Sequence, residues 1–103
     1  MSGFTKVARA ADIPEGSIKC VEVRGHRIAL YNLGGTFFAT QEMCTHADAS
    51  LCEGEILGGE EVMCPLHFAT FNIRTGECTA PPADEDLVTY RVRVEGEDIE
   101  VEV

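Results

Sequence analysis

Two cysteine–histidine pairs, Cys44-Thr-His46 and Cys64-Pro-Leu-His67, stand seventeen residues apart in a chain of 103. Thiolate and imidazole both bind zinc, copper and iron, so these four side chains form a candidate metal centre. Structural zinc sites commonly pair like with like, two cysteines on one knuckle and two histidines on a helix. Here each short segment offers one of each, and no helix follows. A four-coordinate zinc site of Cys44, His46, Cys64 and His67 remains chemically possible. A binuclear 2Fe–2S centre accounts for the mixture better, because each loop then gives one ligand to each iron. Both thiolates fall on one iron and both imidazoles on the other. Histidine binds as a neutral ligand, so the oxidised centre is formally about neutral, whereas four cysteines would make it about −2. The mixed centre accepts an electron at the higher potential. Reading Cys44 and His46 as a nucleophile and its base leaves the second matching pair unexplained.

The segments that must position these residues read as strands and turns. Val21–Arg24, Gly25 and Arg27–Tyr31 form a tight hairpin, and Asn32–Gly35 turns into Thr36–Thr40. Val88, Tyr90, Val92 and Val94 alternate with Thr89, Arg91 and Arg93. After a turn at Glu95–Asp98, Ile99, Val101 and Val103 alternate with Glu100 and Glu102. Period two of this kind predicts a terminal hairpin with one buried face. The stretch from about Glu42 to Pro82 is broken by glycines and prolines, with short strands only at Glu55–Leu57 and Val62–Met63. That much loop needs something besides a core to hold it, and a metal centre would serve. The fold class expected is all-β.

Composition bounds the rest. At 11.2 kDa, 45% hydrophobic and 25% charged, the chain suits one globular domain with a modest core. No apolar run is long enough to cross a bilayer and no secretion signal opens the chain, so a cytoplasmic protein without a membrane partner is expected. A net charge of −10 argues against nucleic acid. Residues 1–41 carry a net +2 and residues 42–103 a net −12. The acidic part serves either as a solubilising surface or as a docking face around the metal. Five cysteines without a secretion signal make metal or redox use a better expectation than a disulfide framework.

The pattern C-x-H-x17-C-x2-H is the Rieske motif, and the whole chain resembles the small Rieske-type ferredoxins of bacterial aromatic-ring-hydroxylating dioxygenases. The resemblance takes in the opening strand, L-Y-x-L-G-G-T-F-F-A-T at 30–40, both ligand loops, F-N-I-R-T-G at 71–76 and Pro81-Pro82 before the closing hairpin. It implies an antiparallel β-sandwich spanning 1–103 as a single Rieske domain, with a loop-rich cluster-binding subdomain at about 42–82. By the same likeness Cys44 and Cys64 bind the inner iron of one 2Fe–2S cluster, His46 and His67 bind the outer, solvent-facing iron, and residues 76–82 form a third covering loop. The function implied is one-electron transfer from a flavin-containing NAD(P)H reductase to a terminal oxygenase, by a monomer with no catalytic site of its own. The alternatives are a ferredoxin serving another oxidoreductase and a zinc-stabilised module without redox activity.

High-potential members of that family carry an extra cysteine in each ligand loop, joined as a disulfide; here Ala49 and Leu66 stand there. They also place serine and tyrosine hydroxyls against the sulfurs, where this chain has Ala69 and Phe71. Fewer donors to the sulfurs imply a low potential for the class. Of the remaining residues, Cys20 and Cys78 are expected as small buried apolar residues. Cys52 either lines the cluster pocket or packs, and His26 is expected at the surface. Leu66, Phe68 and Pro81 form either an apolar collar or ordinary packing.

Overall fold

The structure, a computed structural model, describes residues 3–45, 49–66, 68–81 and 85–103. Among these residues the chain is almost entirely antiparallel β, in three sheets. The first sheet has the order β1 (Phe4–Arg9), β11 (Asp98–Glu102), β10 (Val92–Glu95). The second runs β2 (Ile18–Val23), β3 (His26–Leu33), β4 (Thr36–Gln41), β9 (Thr89–Tyr90). The third runs β5 (Glu55–Leu57), β6 (Glu61–Met63), β7 (Thr70–Asn72), β8 (Cys78–Ala80). No described helix is long and apolar enough to cross a membrane.

Strand β3 organises the layers. Six consecutive residues from Ile28 to Leu33 are buried, so it reads as a run and not as an alternation. Alternate side chains nevertheless enter different cores. Ile28 and Leu30 join Ala8, Ile99 and Val101 of the first sheet, with Ala39 of β4. Ala29, Tyr31 and Leu33 point the other way and join Leu51, Val62, Phe71 and Ile73 beneath the cysteines. Full burial of each large aliphatic side chain is worth roughly 1.5–3 kcal/mol, so both faces hold their layers firmly. Tyr31 reaches a polar partner in this interior, its hydroxyl lying 2.8 Å from Thr40 Oγ1, which donates in turn to the Gln41 carbonyl at 2.8 Å.

The hairpins at Arg24–Gly25 and after Leu33 follow the sequence expectation, with Ile28 facing Val21 and Leu30 facing Ala39. The run at 88–94 does not. Thr89–Tyr90 pairs with β4, and Val92–Glu95 pairs with β11, so the chain changes sheet at Arg91. Val88 and Val94 are 56% and 46% exposed, which removes the single buried face that alternation predicted. The short strands Thr70–Asn72 and Cys78–Ala80 lie where loop was expected. Their pairing with β6 and with each other supplies the order that so short a sequence signal cannot.

Two glycines clamp this third sheet. A Cβ on Gly54 would fall onto the Met63 carbonyl oxygen, and one on Gly76 onto that of Leu87. Gly76 also holds φ at +79°. Gly54→Ala or Gly76→Ala should therefore lower unfolding free energy by about 3 kcal/mol in urea titrations, through overpacking against rigid backbone. Gly3→Ala, with open space around it, should leave the midpoint unchanged.

Candidate metal centre

Two loops of the same local design carry the cysteines. In the first, which follows β4, the Cys44 amide donates to the Ala49 carbonyl at 2.9 Å. In the second, between β6 and β7, the Cys64 amide donates to the Ala69 carbonyl at 2.7 Å. Each loop begins at a cysteine and closes on an alanine five residues later, with a histidine inside: C-T-H-A-D-A and C-P-L-H-F-A. The first loop is also held at its base by the Met43–Ser50 bridge and by the Leu51 amide on the Glu42 carbonyl at 2.8 Å. His46 and His67 lie outside the described residues, so the side chains that the structure brings together are those of Cys44 and Cys64.

Both cysteines are buried and neither is in a disulfide. Burial pushes the Cys64 thiol up to about 11, partly opposed by the Leu66 amide on its sulfur and reinforced by the neighbouring Cys44. Burial disfavours the Cys64 thiolate while no cation is present, and the adjacent Cys44 completes a donor pair for a cation that takes both sulfurs as thiolates. The donor set thus suits iron. Ala69 and Phe71, both fully buried in the same core, bring no hydroxyl to the sulfurs. The Leu66 amide is a donor that no count of side chains would include.

Beside the loops some large apolar residues are exposed. Leu66 and Phe68 are 46% and 64% exposed, and Pro81 is exposed. Their exposure excludes ordinary core packing for these three residues. Phe68 holds φ at +63°, a conformation that costs a bulky residue about 1–3 kcal/mol and clusters at functional sites. A groove of about 260 Å³ runs between the loops, past Ala49, Glu53, Pro65 and Leu66. The third segment is tied in by Thr45 Oγ1 donating to the Glu85 carbonyl at 2.9 Å and by the Cys78 amide on Asp86 Oδ1 at 2.9 Å.

Three sequence expectations change. Cys20 and Cys52 are joined as a disulfide between β2 and the 3-10 turn Leu51–Glu53, where Cys20 was expected as a buried apolar residue, Cys52 as pocket lining or packing, and no disulfide framework at all. Their Cα atoms stand 5.9 Å apart, the usual separation for such a bond. Cysteine spacing does not reveal connectivity, which is why the sequence was silent. Cys78, expected buried, is half-buried and packs at the edge of the core, its thiol donating to the Ala80 carbonyl at 3.5 Å. Glu42, counted among the acidic residues of the loop region, is buried and held by Arg27 through bonds of 3.0 and 3.1 Å. Glu42 lies within reach of Cys20 and Cys52, but the disulfide and Arg27 already occupy all three groups. His26 is exposed, as expected, with its ring edge-on to Tyr90 at 6.0 Å.

This geometry agrees with the comparisons. The chain belongs to the Rieske [2Fe-2S] domain family, whose model matches residues 3–91, and the cofactor of that family is one Rieske 2Fe–2S cluster. It is 41% identical over 99 residues to the biphenyl dioxygenase ferredoxin subunit of Pseudomonas sp. strain KKS102, covering 96% of this chain and 91% of that one. Its fold is similar to the ferredoxin of carbazole 1,9a-dioxygenase from Nocardioides aromaticivorans IC177, with TM-score 0.91, 31% identity and 95% of each chain covered. It is also similar to a chain in a complex of reduced oxygenase and oxidised ferredoxin of carbazole 1,9a-dioxygenase, with TM-score 0.88, 36% identity, and 95% and 91% covered.

Because the folded apo-protein keeps the Cys64 thiol protonated to about 11 while an ordinary thiol ionises near 9.0, ionisation favours the unfolded chain. Stability of apo-protein should be level below pH 8, then fall as pH rises from about 9 to 11. Cys64→Ser should remove most of that fall, and metal-loaded protein should not show it. Urea midpoints across this range check the sign.

Proposed function

We propose that this protein is a one-electron carrier in a multicomponent dioxygenase system, working as a cytoplasmic monomer between a flavin-dependent NAD(P)H reductase and a terminal aromatic-ring oxygenase. The bound cluster supplies a one-electron couple. In this reading Cys44 and Cys64 hold the inner iron as thiolates, and His46 and His67 hold the outer iron. The observation that carries the ligand assignment is the identical closure of the two loops, Cys44 on Ala49 and Cys64 on Ala69, which sets two like segments around one pair of buried sulfurs. The buried sulfurs keep one side of the site dry, while the exposed Leu66 and Phe68 beside the second loop offer a partner a contact from which water is excluded. The oxygenase assignment draws on the ferredoxin relatives and on the oxygenase–ferredoxin complex.

Native protein should contain two irons and two acid-labile sulfides per chain, and His46→Ala or His67→Ala should lose the cluster or make it labile. Cys78→Ser should leave the visible spectrum unchanged. One zinc and no sulfide would falsify the assignment. The midpoint potential should lie near −150 mV, the low end for histidine-ligated clusters, and stay nearly level between pH 6 and 8. Ala69→Ser and Phe71→Tyr, by adding donors, should raise it by tens of millivolts, about 60 mV for each tenfold gain in stabilising the reduced form. Redox titration of the three proteins tests both parts.

Docking is the further part of this proposal. Glu53, Glu55, Glu85 and Asp86 are exposed on the cluster-binding region, and a cationic rim on a partner would meet them with the apolar collar at the centre. Raising salt should slow stopped-flow electron transfer, since screening acts over about 8 Å at physiological ionic strength. Glu53→Lys should slow it more than Glu22→Lys on the edge strand β2. Phe68→Gly should slow transfer while raising stability by about 1 kcal/mol, through relief of the positive φ. Equal effects of the two reversals would leave the acids a solubilising role only.

A further inference from the structure

The Cys20–Cys52 bond lies outside the metal centre, and its surroundings are those of a reactive group. Both residues are half-buried, and Cys52 lines an open groove of about 400 Å³ with Ser17, Ile18, Glu55 and Ile56. That volume is within the range of small-molecule sites, about 300–1,000 Å³. Cys20 is not among the residues lining the groove, so the two sulfurs differ in access. They differ in support as well. Ser50 Oγ accepts the Cys52 amide at 3.2 Å and lies 3.7 Å from Cys20 Sγ, which leaves its proton to donate to that sulfur. The bond also spans a functional joint. It fastens β2 of the central sheet to the turn that follows directly on the first ligand loop.

We propose that Cys20 and Cys52 form a thiol–disulfide exchange site, open at Cys52 to small thiols and disulfides, whose oxidation state sets how firmly the first ligand loop is tied to the central sheet. In reduction, a small thiolate attacks Cys52 Sγ and forms a mixed disulfide there. The Cys20–Cys52 bond breaks, and its electron pair leaves on Cys20 Sγ, which takes up a proton beside the Ser50 hydroxyl. A second small thiol then attacks the mixed disulfide, freeing the Cys52 thiol and releasing the small disulfide. Oxidation is the reverse, with one small disulfide reduced to two thiols as the two cysteines join. Glu55 is the ionisable side chain lining the groove among the described residues, so it selects amine-bearing reagents such as cystamine over anionic ones such as glutathione disulfide. In a reducing compartment an accessible bond of this kind serves as a redox-sensing one.

The test uses cluster-loaded protein poised in mixtures of cysteamine and cystamine, alkylated and mapped by mass spectrometry, with the rate of iron loss to a chelator read in parallel. The pair should be joined at oxidising poise and alkylated at both cysteines at reducing poise, and iron loss should be several-fold faster in the reduced form. Cys20→Ser should accumulate the mixed disulfide on Cys52, and Cys52→Ser should label Cys20 severalfold more slowly. Glu55→Gln should lower the ratio of cystamine to glutathione-disulfide rates by roughly threefold to fivefold, the effect of one unit charge at close range in water. A pair that stays joined at every poise is a structural staple and overturns the proposal, as does reduction without faster iron loss or equal labelling of the two cysteines in the single variants. Mapping of the wild-type protein decides the matter even if a variant fails to fold.

Discussion

Burial of strand β3 on both faces is the constraint from which the architecture follows. A chain of 103 residues has little interior to distribute, yet here it maintains two cores, one on each side of a single strand. Ile28 and Leu30 hold the terminal sheet, and Ala29, Tyr31 and Leu33 hold the cluster-binding region. Because successive side chains on a strand point in opposite directions, a one-residue slip of β3 would exchange the two sets. The register Ile28–Gln41 to Leu33–Thr36 against β4 is therefore tied to the placement of Cys44 just beyond it. The loop that carries Cys44 is built on the same ladder that holds the body together.

On that base the ligand loops convert an electrostatic liability into a binding site. Burial of the Cys64 thiol beside Cys44 makes it resist ionisation. A cation reverses the balance, since each thiolate then gains a partner in a medium that screens poorly. Metal binding and ordering of the loops are thereby coupled. The hydrogen bonds that close each loop are backbone bonds, so most of the local sequence is free to vary without moving the cysteines. Phe68 uses that freedom, holding an unfavourable φ while its ring stands in solvent.

The Cys20–Cys52 bond and the Arg27–Glu42 pair tie the base of the first loop to the central sheet by different means. Arg27 is largely exposed, so screening discounts its attraction for Glu42. The disulfide closes a sequence separation of 32 residues, which in a chain-entropy account is worth about 3–4 kcal/mol. For a small domain with about 5–15 kcal/mol in all, that is a large share.

Cys44, His46, Cys64 and His67 stood out in the sequence because their types and spacing suit few chemistries other than a mixed-ligand metal centre. The hairpins from Val21 to Thr40 were legible for an equally local reason, glycine-containing turns between short runs rich in β-branched and aromatic residues. Local pattern could not reveal that Val88–Val94 divides between two sheets, since Thr89 and Tyr90 pair with residues about fifty positions back along the chain while Val92–Glu95 pairs within the terminal hairpin. Nor could it pair Cys20 with Cys52, leave Cys78 half-buried at the edge of the core, or withdraw Glu42 from the acidic surface. Each of those outcomes depends on which distant segment lies against the residue. Composition and spacing determined what chemistry the chain can carry, because ligand preference belongs to the side chains themselves. Which groups are dry, paired or open to a partner was decided only by the tertiary structure, because desolvation and charge pairing depend on neighbours far away in sequence.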